Sequence, residues 1–270
     1  MTPDDCYICA TCGVQYARSA TEPPRCEVCE DERQYVGWSG QQWTTLADLR
    51  EKHHNEIRDD LGLTGVGTKP TFAIGQRALL VRSPQGNVLW DCITVIDDAT
   101  VDAVRKLGGI RAIAISHPHY YSTMVEWGQY FDAPIYLHSA DRQWVMRPDS
   151  RIDFWSGETR ELWDGMTLIR AGGHFEGGTV LHWAEGMDGR GALLSGDILQ
   201  VAQDRRWVSF MYSFPNYVPL PALEIDRIVA AVEPFAFDRI YGAWWDRNVA
   251  SDAKAAVRRS AERYKKALGS

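Results

Sequence analysis

The segment Ser116-His117-Pro118-His119-Tyr120-Tyr121-Ser122 directly follows Ile110 to Ser116, a continuous apolar run typical of a strand buried on both faces. In an extended segment residues i and i+2 face the same way, so His117 and His119 can offer two imidazoles to one ion. A third imidazole, His174, lies in Gly172-Gly173-His174-Phe175-Glu176-Gly177-Gly178, where the glycines admit positive φ or close backbone approach. Ser195-Gly196-Asp197 ends a further strand with a carboxylate. His-x-His is a weak signal by itself; its place at a strand end, with His174 and Asp197 at other strand ends, gives it weight. Three imidazoles and a carboxylate make a catalytic metal shell with one position left for water.

A second donor set lies at the N-terminus, where five of the six cysteines fall in the first 29 residues. Cys9-Ala10-Thr11-Cys12 and Cys26-Glu27-Val28-Cys29 are two knuckles that together supply four soft ligands for a tetrahedral metal. Disulfides are the alternative, disfavoured in a chain without an export signal. Cys6 reads as a spare thiol, and Cys92 stands alone. The knuckles resemble the zinc-ribbon and rubredoxin-like family over about 30 residues, with Cys12-Gly13-Val14-Gln15-Tyr16 close to the first rubredoxin knuckle. Glu30 stands where rubredoxins carry glycine, and the interval between knuckles is short. The resemblance therefore implies structural zinc ahead of redox-active iron. Residues 1 to 40 hold seven acids and three bases, which argues against a ribbon that grips nucleic acid.

The elements that must position these groups follow from patterning. The chain has 270 residues, 45% of them apolar and 24% charged, which is ordinary globular composition and excludes disordered and fibrous classes. A formal net charge of −7 weighs against nucleic acid and anionic lipid as partners, and no apolar run approaches the roughly 18 residues of a membrane span. The acidic N-terminus lacks the marks of a secretory signal, so the expected location is cytoplasmic. The sequence permits a homodimer without indicating one. Thr44-Thr45 with Leu46, Leu49, Ile57 and Leu61 predicts a capped helix of about four turns that carries His53 and His54 on a solvated face. Gly62 to Gly67 reads as a linker, which divides the chain into a ribbon (1–40), a helix and linker (41–67) and a main domain (68–270).

In that main domain Phe72 to Val81 and Asn87 to Cys92 form a hairpin about Ser83-Pro84-Gln85-Gly86. Strands are predicted at 110–116, 135–138, 167–171, 179–183, 192–195 and 239–242. Helices are predicted around 101–107 and at 121–131, 140–146, 221–232 and 251–268, the last a solvated basic face. Strands alternating with helices suggest two packed sheets with helices outside, a four-layer α/β arrangement.

From about Phe72 to the C-terminus the sequence resembles the metallo-β-lactamase fold superfamily. The resemblance rests on the order of a hairpin ending in Asp91, the His-x-His loop, Leu162-Trp163-Asp164-Gly165-Met166-Thr167-Leu168 ahead of the glycine-flanked histidine, and Gly196-Asp197. It implies an αββα sandwich in which His117, His119 and His174 hold the first metal and Asp197 is the carboxylate that commonly bridges two. The family pattern needs Asp at Tyr121 and His at Ser122, and a final histidine near Tyr241-Gly242-Ala243-Trp244-Trp245-Asp246; all three are missing. The implied enzyme is mononuclear, its ion zinc or iron. The alternatives are a single-iron oxidoreductase or oxygenase and a member that binds ligand without turnover.

Asp197 would hold or deprotonate the attacking water, and Tyr120 or Tyr121 would donate a hydrogen bond to the developing anion, although packing explains both tyrosines equally well. His138 reads as a cap or a support to the site, and His182 as a satisfied structural histidine. Trp207, Phe210, Met211, Tyr212, Phe214 and Tyr217 suggest a lid over the site, with core filling as the alternative. With Trp127, Trp144, Trp244 and Trp245 they favour a small apolar or aromatic ester, lactone, thioester or amide over a phosphodiester.

Overall fold

The computed structural model of the protein describes residues 6–269, which divide into two compact units. One comprises the chain up to Leu137 with Arg142–Phe154, and the other His138–Asp141 with the chain from Trp155 onward.

In the first unit the cysteine segment folds as a small ribbon. Strand β1 (Ile8–Cys9) pairs with β2 (Trp43–Thr44), and a single turn, α1 (Glu27–Glu30), carries the second knuckle. The ribbon thus closes on residues beyond the expected limit at 40. Helix α2 (Leu46–Lys52) begins at Thr45, whose side chain accepts from Asp48 N while the Asp48 carboxylate accepts from Thr45 N. It ends after two turns at His53.

The longer helix and the linker expected here do not form. His54 and Ile57 lie in strand β3 (His54–Asp60), and most of the supposed linker is strand β4 (Leu63–Lys69). The cause is local: Leu61 and Gly62 both have positive φ, the pattern of a tight I′ hairpin turn that matches strand twist. Asp59 accepts from Gly62 N at 3.1 Å and braces that turn. Asp60 and Arg77, both buried, pair at 2.5 Å just beyond it.

Strands β5 (Arg77–Val81) and β6 (Val88–Trp90) form the predicted hairpin, with the Ser83 hydroxyl donating to Gly86 O. Helix α3 (Asp98–Lys106) is capped by Asp97, which accepts from Thr100 N at 2.7 Å. It stops where Gly108 and Gly109 adopt positive φ. Strand β7 (Ala112–Ala114), wholly buried, and β8 (Ile135–His138) extend the sheet in parallel with β6, and helix α4 (Met124–Phe131) lies between them in sequence. With β9 (Ile152–Trp155) the sheet has seven strands in the order β3-β4-β5-β6-β7-β8-β9.

The second unit contains a six-stranded sheet of order β10 (Thr159–Glu161), β11 (Met166–Arg170), β12 (Thr179–Trp183), β13 (Ala192–Gly196), β18 (Arg239–Gly242) and β19 (Asn248–Val249). Short strands β14 (Gln200–Val201) and β15 (Val208–Ser209) pair, as do β16 (Met211–Ser213) and β17 (Val218–Pro219). Helices α6 (Ala222–Val232) and α7 (Ala253–Leu268) follow the one-turn α5 (Gly186–Gly189). Helix α7 is not the simple solvated face expected from its charges: Ala253, Ala256, Val257 and Ala261 join a core with Ile225, Ile228 and Val232 of α6. Among the described residues no helix is long and apolar enough to cross a membrane.

Candidate metal centres

Four buried sulfurs, those of Cys9, Cys12, Cys26 and Cys29, lie within 4.8 Å of one another. Cys9 and Cys29 are separated by 3.6 Å and Cys12 and Cys26 by 3.7 Å, too far for a disulfide. A tetrahedral ion with bonds of about 2.3 Å requires sulfur–sulfur edges of roughly 3.8 Å, so the cluster fits such an ion closely. Its electrostatics agree. Hydrogen bonding from Cys12, then Cys26 and Cys29, drives the Cys9 thiol far below its ordinary value, while Cys26, Cys29 and Cys9 in turn push Cys12 up. Cys9 and Cys26 give up their protons readily while Cys12 and Cys29 resist, a conflict that a bound cation removes. The amide of Gln41 donates to Cys9 Sγ at 3.2 Å. Cys6, although buried, is outside this group.

The first unit also places His117 and His119. Strands β6 and β7 run parallel, and Asp91 and Ser116 follow their C-terminal ends, the edge at which open α/β sheets carry their sites. Asp91 accepts from Ser116 N at 2.7 Å, and Ser116 Oγ lies 2.9 Å from His117 Nδ1. The histidine pair departs from the extended geometry predicted for it. His117 is extended, but Pro118–Tyr120 forms a 3-10 turn, and the two rings meet edge to face across that turn at 5.2 Å. Tyr120 packs edge-on against His117 at 5.4 Å, and both Tyr120 and Tyr121 are buried.

In the second unit β11 and β13 are each antiparallel to β12, so their C-terminal ends share one edge of the sheet. His174 follows β11 and Asp197 follows β13. Gly172 and Gly173 take positive φ, and a Cβ on Gly178 would come within 2.6 Å of Gly172 O, which explains the glycines around His174. His174 Nδ1 donates to Tyr212 O at 2.7 Å; because a carbonyl only accepts, the proton is on Nδ1 and the ring lone pair on Nε2. Phe214 lies 5.5 Å from the His174 ring.

The aromatic segment therefore divides. Tyr212 and Phe214 attend His174, Phe210 is core, and Trp207 stacks beneath Arg263. Tyr217 is 85% exposed at the turn between β16 and β17. Trp127 is also structural, donating to Ile93 O at 2.9 Å, and Trp144 packs on the ribbon. His138 acts as a local cap: Nδ1 accepts from Ala140 N and Nε2 donates to Gly157 O, while burial lowers its pKa. His182 donates to Ala236 O at 2.8 Å, as a satisfied strand histidine should. His53 closes α2, its Nδ1 2.8 Å from Pro70 O.

Among the described residues two groups thus have the chemistry to hold metal: the four cysteines, and the buried histidines His117, His119 and His174. The short hairpins after Asp197 and the Ser116 and Tyr212 supports were not foreseen. Ser116 stands next to His117 in sequence and could have been read as its support, whereas a backbone carbonyl 38 positions from His174 leaves no mark in the sequence.

Comparison with known proteins places this architecture. The chain aligns with the crystal structure of VMB-1 at a TM-score of 0.58, with 13% identity, covering 80% of this chain and 99% of that one. The DIM-1 metallo-β-lactamase aligns at 0.58 with 12% identity over 80% and 98%. A B3 metallo-β-lactamase described as having an active-site glutamic acid aligns at 0.50 with 16% identity over 83% and 93%. The fold is that of the metallo-β-lactamases, a mixed α/β architecture with two large β-sheets and helices, here with a four-cysteine ribbon at its N-terminus. No protein-family model matches the chain. Over 267 residues, 98% of this chain and 97% of the relative, it is 53% identical to the uncharacterized protein YmaE of Bacillus subtilis (strain 168). The chain belongs to the same family as YmaE.

Proposed function

We propose that the protein is a metal-dependent hydrolase with one catalytic ion, held by His117, His119 and His174, and a second, structural ion in the ribbon. The observation that carries the reading is the group of three buried imidazoles with ligand chemistry, two of which have Nδ1 contacts that direct Nε2 as the ligand atom. A divalent ion in such a shell supplies an activated water and polarises a substrate oxygen.

The chain's own residues do the rest. Asp91 fixes Ser116, and Ser116 orients His117. Asp197, buried at the end of β13, holds the water or takes its proton. Tyr120 or Tyr121 donates to the anion that develops on the substrate. Phe214 beside His174 offers an aromatic wall, which supports a small apolar or aromatic ester, lactone, thioester or amide as substrate. Tyr121 and Ser122 stand where a second ion would need Asp and His, which supports a single-ion site. The small-molecule substrate and cytoplasmic setting belong to this proposal, as does the absence of nucleic-acid or membrane partners.

The test is hydrolysis of a panel of aryl esters, lactones, thioesters and amides by the metal-loaded protein and by His119→Ala. Turnover of at least one class, reduced about a thousandfold or more in the variant, is expected, as for the loss of a metal ligand that positions the reacting groups. Turnover equal in both proteins refutes the proposal.

A further inference from the structure

The first knuckle runs directly into contacts with the histidine-bearing loop. Cys9 O accepts from Gly13 N at 2.8 Å and Cys9 N donates to Val14 O at 3.0 Å, so the loop that sets the Cys9–Cys12 spacing also fixes residues 13 and 14. The next residue, Gln15, donates its backbone N–H to Ser122 O at 3.1 Å, three positions beyond His119. Ser122 has φ +41, a conformation that L residues adopt at a cost and keep only when neighbours hold them. The buried Gln15 side chain continues inward. Its amide donates to Glu126 Oε1 at 3.4 Å in the first turn of α4, and Arg147 donates to both Gln15 Oε1 and Glu126 Oε1.

A second brace runs through Thr94, whose hydroxyl donates to Gly13 O at 3.2 Å while its carbonyl accepts from Thr123 Oγ1 at 2.8 Å. Gly13 has φ +81, and a Cβ there would lie 2.4 Å from Thr94 Oγ1, so only glycine permits this approach. The ribbon thus grips residues 122, 123 and 126, the stretch that ends the loop carrying His117 and His119.

We propose that the ribbon is a positioning strut for the histidine loop, so that filling the four-cysteine site tightens metal binding at His117 and His119. A segment this small takes its order from its ion; without the ion, Gln15 and Gly13 lose their fixed positions, and the loop loses both braces. The metal-affinity part rests on the assignment of the histidines proposed above; the ordering of the loop does not. Thermodynamic linkage requires the converse as well: an ion at the histidines raises the ribbon's affinity by the same factor.

The experiment uses the full chain in three forms: wild type, Cys12→Ser to empty the ribbon, and Gln15→Ala/Thr94→Val, which keeps all four cysteines but weakens both braces. Cobalt titration reads the two sites separately, because thiolate-bound and imidazole-bound Co2+ absorb differently. Hydrogen exchange reads residues 116–124 against β12 as an internal reference. Relative to wild type, both variants should bind Co2+ at the histidines about tenfold more weakly, the scale found when supports behind metal ligands are lost. Both should exchange faster at 116–124 with β12 unchanged, and the double variant should keep its thiolate–cobalt band. Loop exchange and affinity within twofold of wild type in both variants would overturn the strut. If wild type takes up no cobalt at the histidines, the hydrolase proposal fails; loop exchange then decides the strut alone, faster exchange sustaining it and unchanged exchange refuting it.

Discussion

Replacing Asp91 by Asn should change the pH dependence of stability in a calculable way. Asp91 is buried after β6, and burial pushes its pKa from 3.8 up to about 7, although Ser116 and Arg77 favour the charged form. Between those two values the folded chain holds a proton that the unfolded chain has lost, so stability falls as pH rises through that window. At 1.36 kcal/mol per pH unit, the penalty is fully developed above pH 7 and amounts to about 4 kcal/mol. For a chain of this length, with an unfolding entropy of about 2.1 cal/mol/K per residue, that corresponds to roughly 7 °C in Tm. Asn has the same shape, its Oδ1 still accepts from Ser116 N, and it does not ionise. Any fixed cost of the substitution cancels when the Tm difference between variant and wild type is followed across pH. Measured by calorimetry from pH 4 to pH 8, that difference should move in favour of Asp91→Asn by about 7 °C and level off above pH 7. A flat difference would mean that Asp91 is charged in the folded protein and that burial does not dominate its environment.

Elemental analysis should give two ions per chain for wild type and one each for Cys12→Ser and His119→Ala; a wild-type value near three would restore a binuclear site. An iron-loaded ribbon would absorb visibly, whereas zinc would be colourless. Asp60→Ala leaves the Arg77 guanidinium buried without its carboxylate and should cost about 3–5 kcal/mol in denaturant unfolding, whereas Asp60→Leu/Arg77→Met should recover most of it. A single-mutant cost below about 1 kcal/mol would refute the buried pair. Phe210→Ala should lower stability by about 3–5 kcal/mol, while Phe214→Ala should weaken substrate binding with a smaller effect on Tm. The reverse pattern would exchange their assignments as core and site.

Where the pattern was strongly periodic or the donor chemistry specific, the sequence was legible. The Ser83–Gly86 hairpin, strands β8, β12 and β18 and the four-cysteine cluster all stand where residue type and spacing placed them. The failures had physical causes. Leu49, Ile57 and Leu61 fit a helical stripe, but a two-residue turn at Leu61-Gly62, with leucine in place of the usual asparagine or aspartate, concealed a hairpin. The 3-10 turn at Pro118 changed how the histidines meet while leaving them paired. Phe210 and Phe214 differ by only four positions and have the same composition signal; packing that local sequence does not encode sent one to the core and the other to His174.

The ribbon's attachment also bears on the order in which the chain is made. Ala17 N donates to Met146 O at 3.0 Å, Arg147 bonds Gln15, and Trp144 and Met146 cover the ribbon's apolar cluster. All four cysteines are translated by residue 29, but this cover, from Trp144 onward, is encoded 115 residues later. At roughly 5–20 residues per second, a ribosome takes on the order of ten seconds to produce it. Throughout that interval the apolar side of the ribbon lacks the cover that Trp144 and Met146 provide.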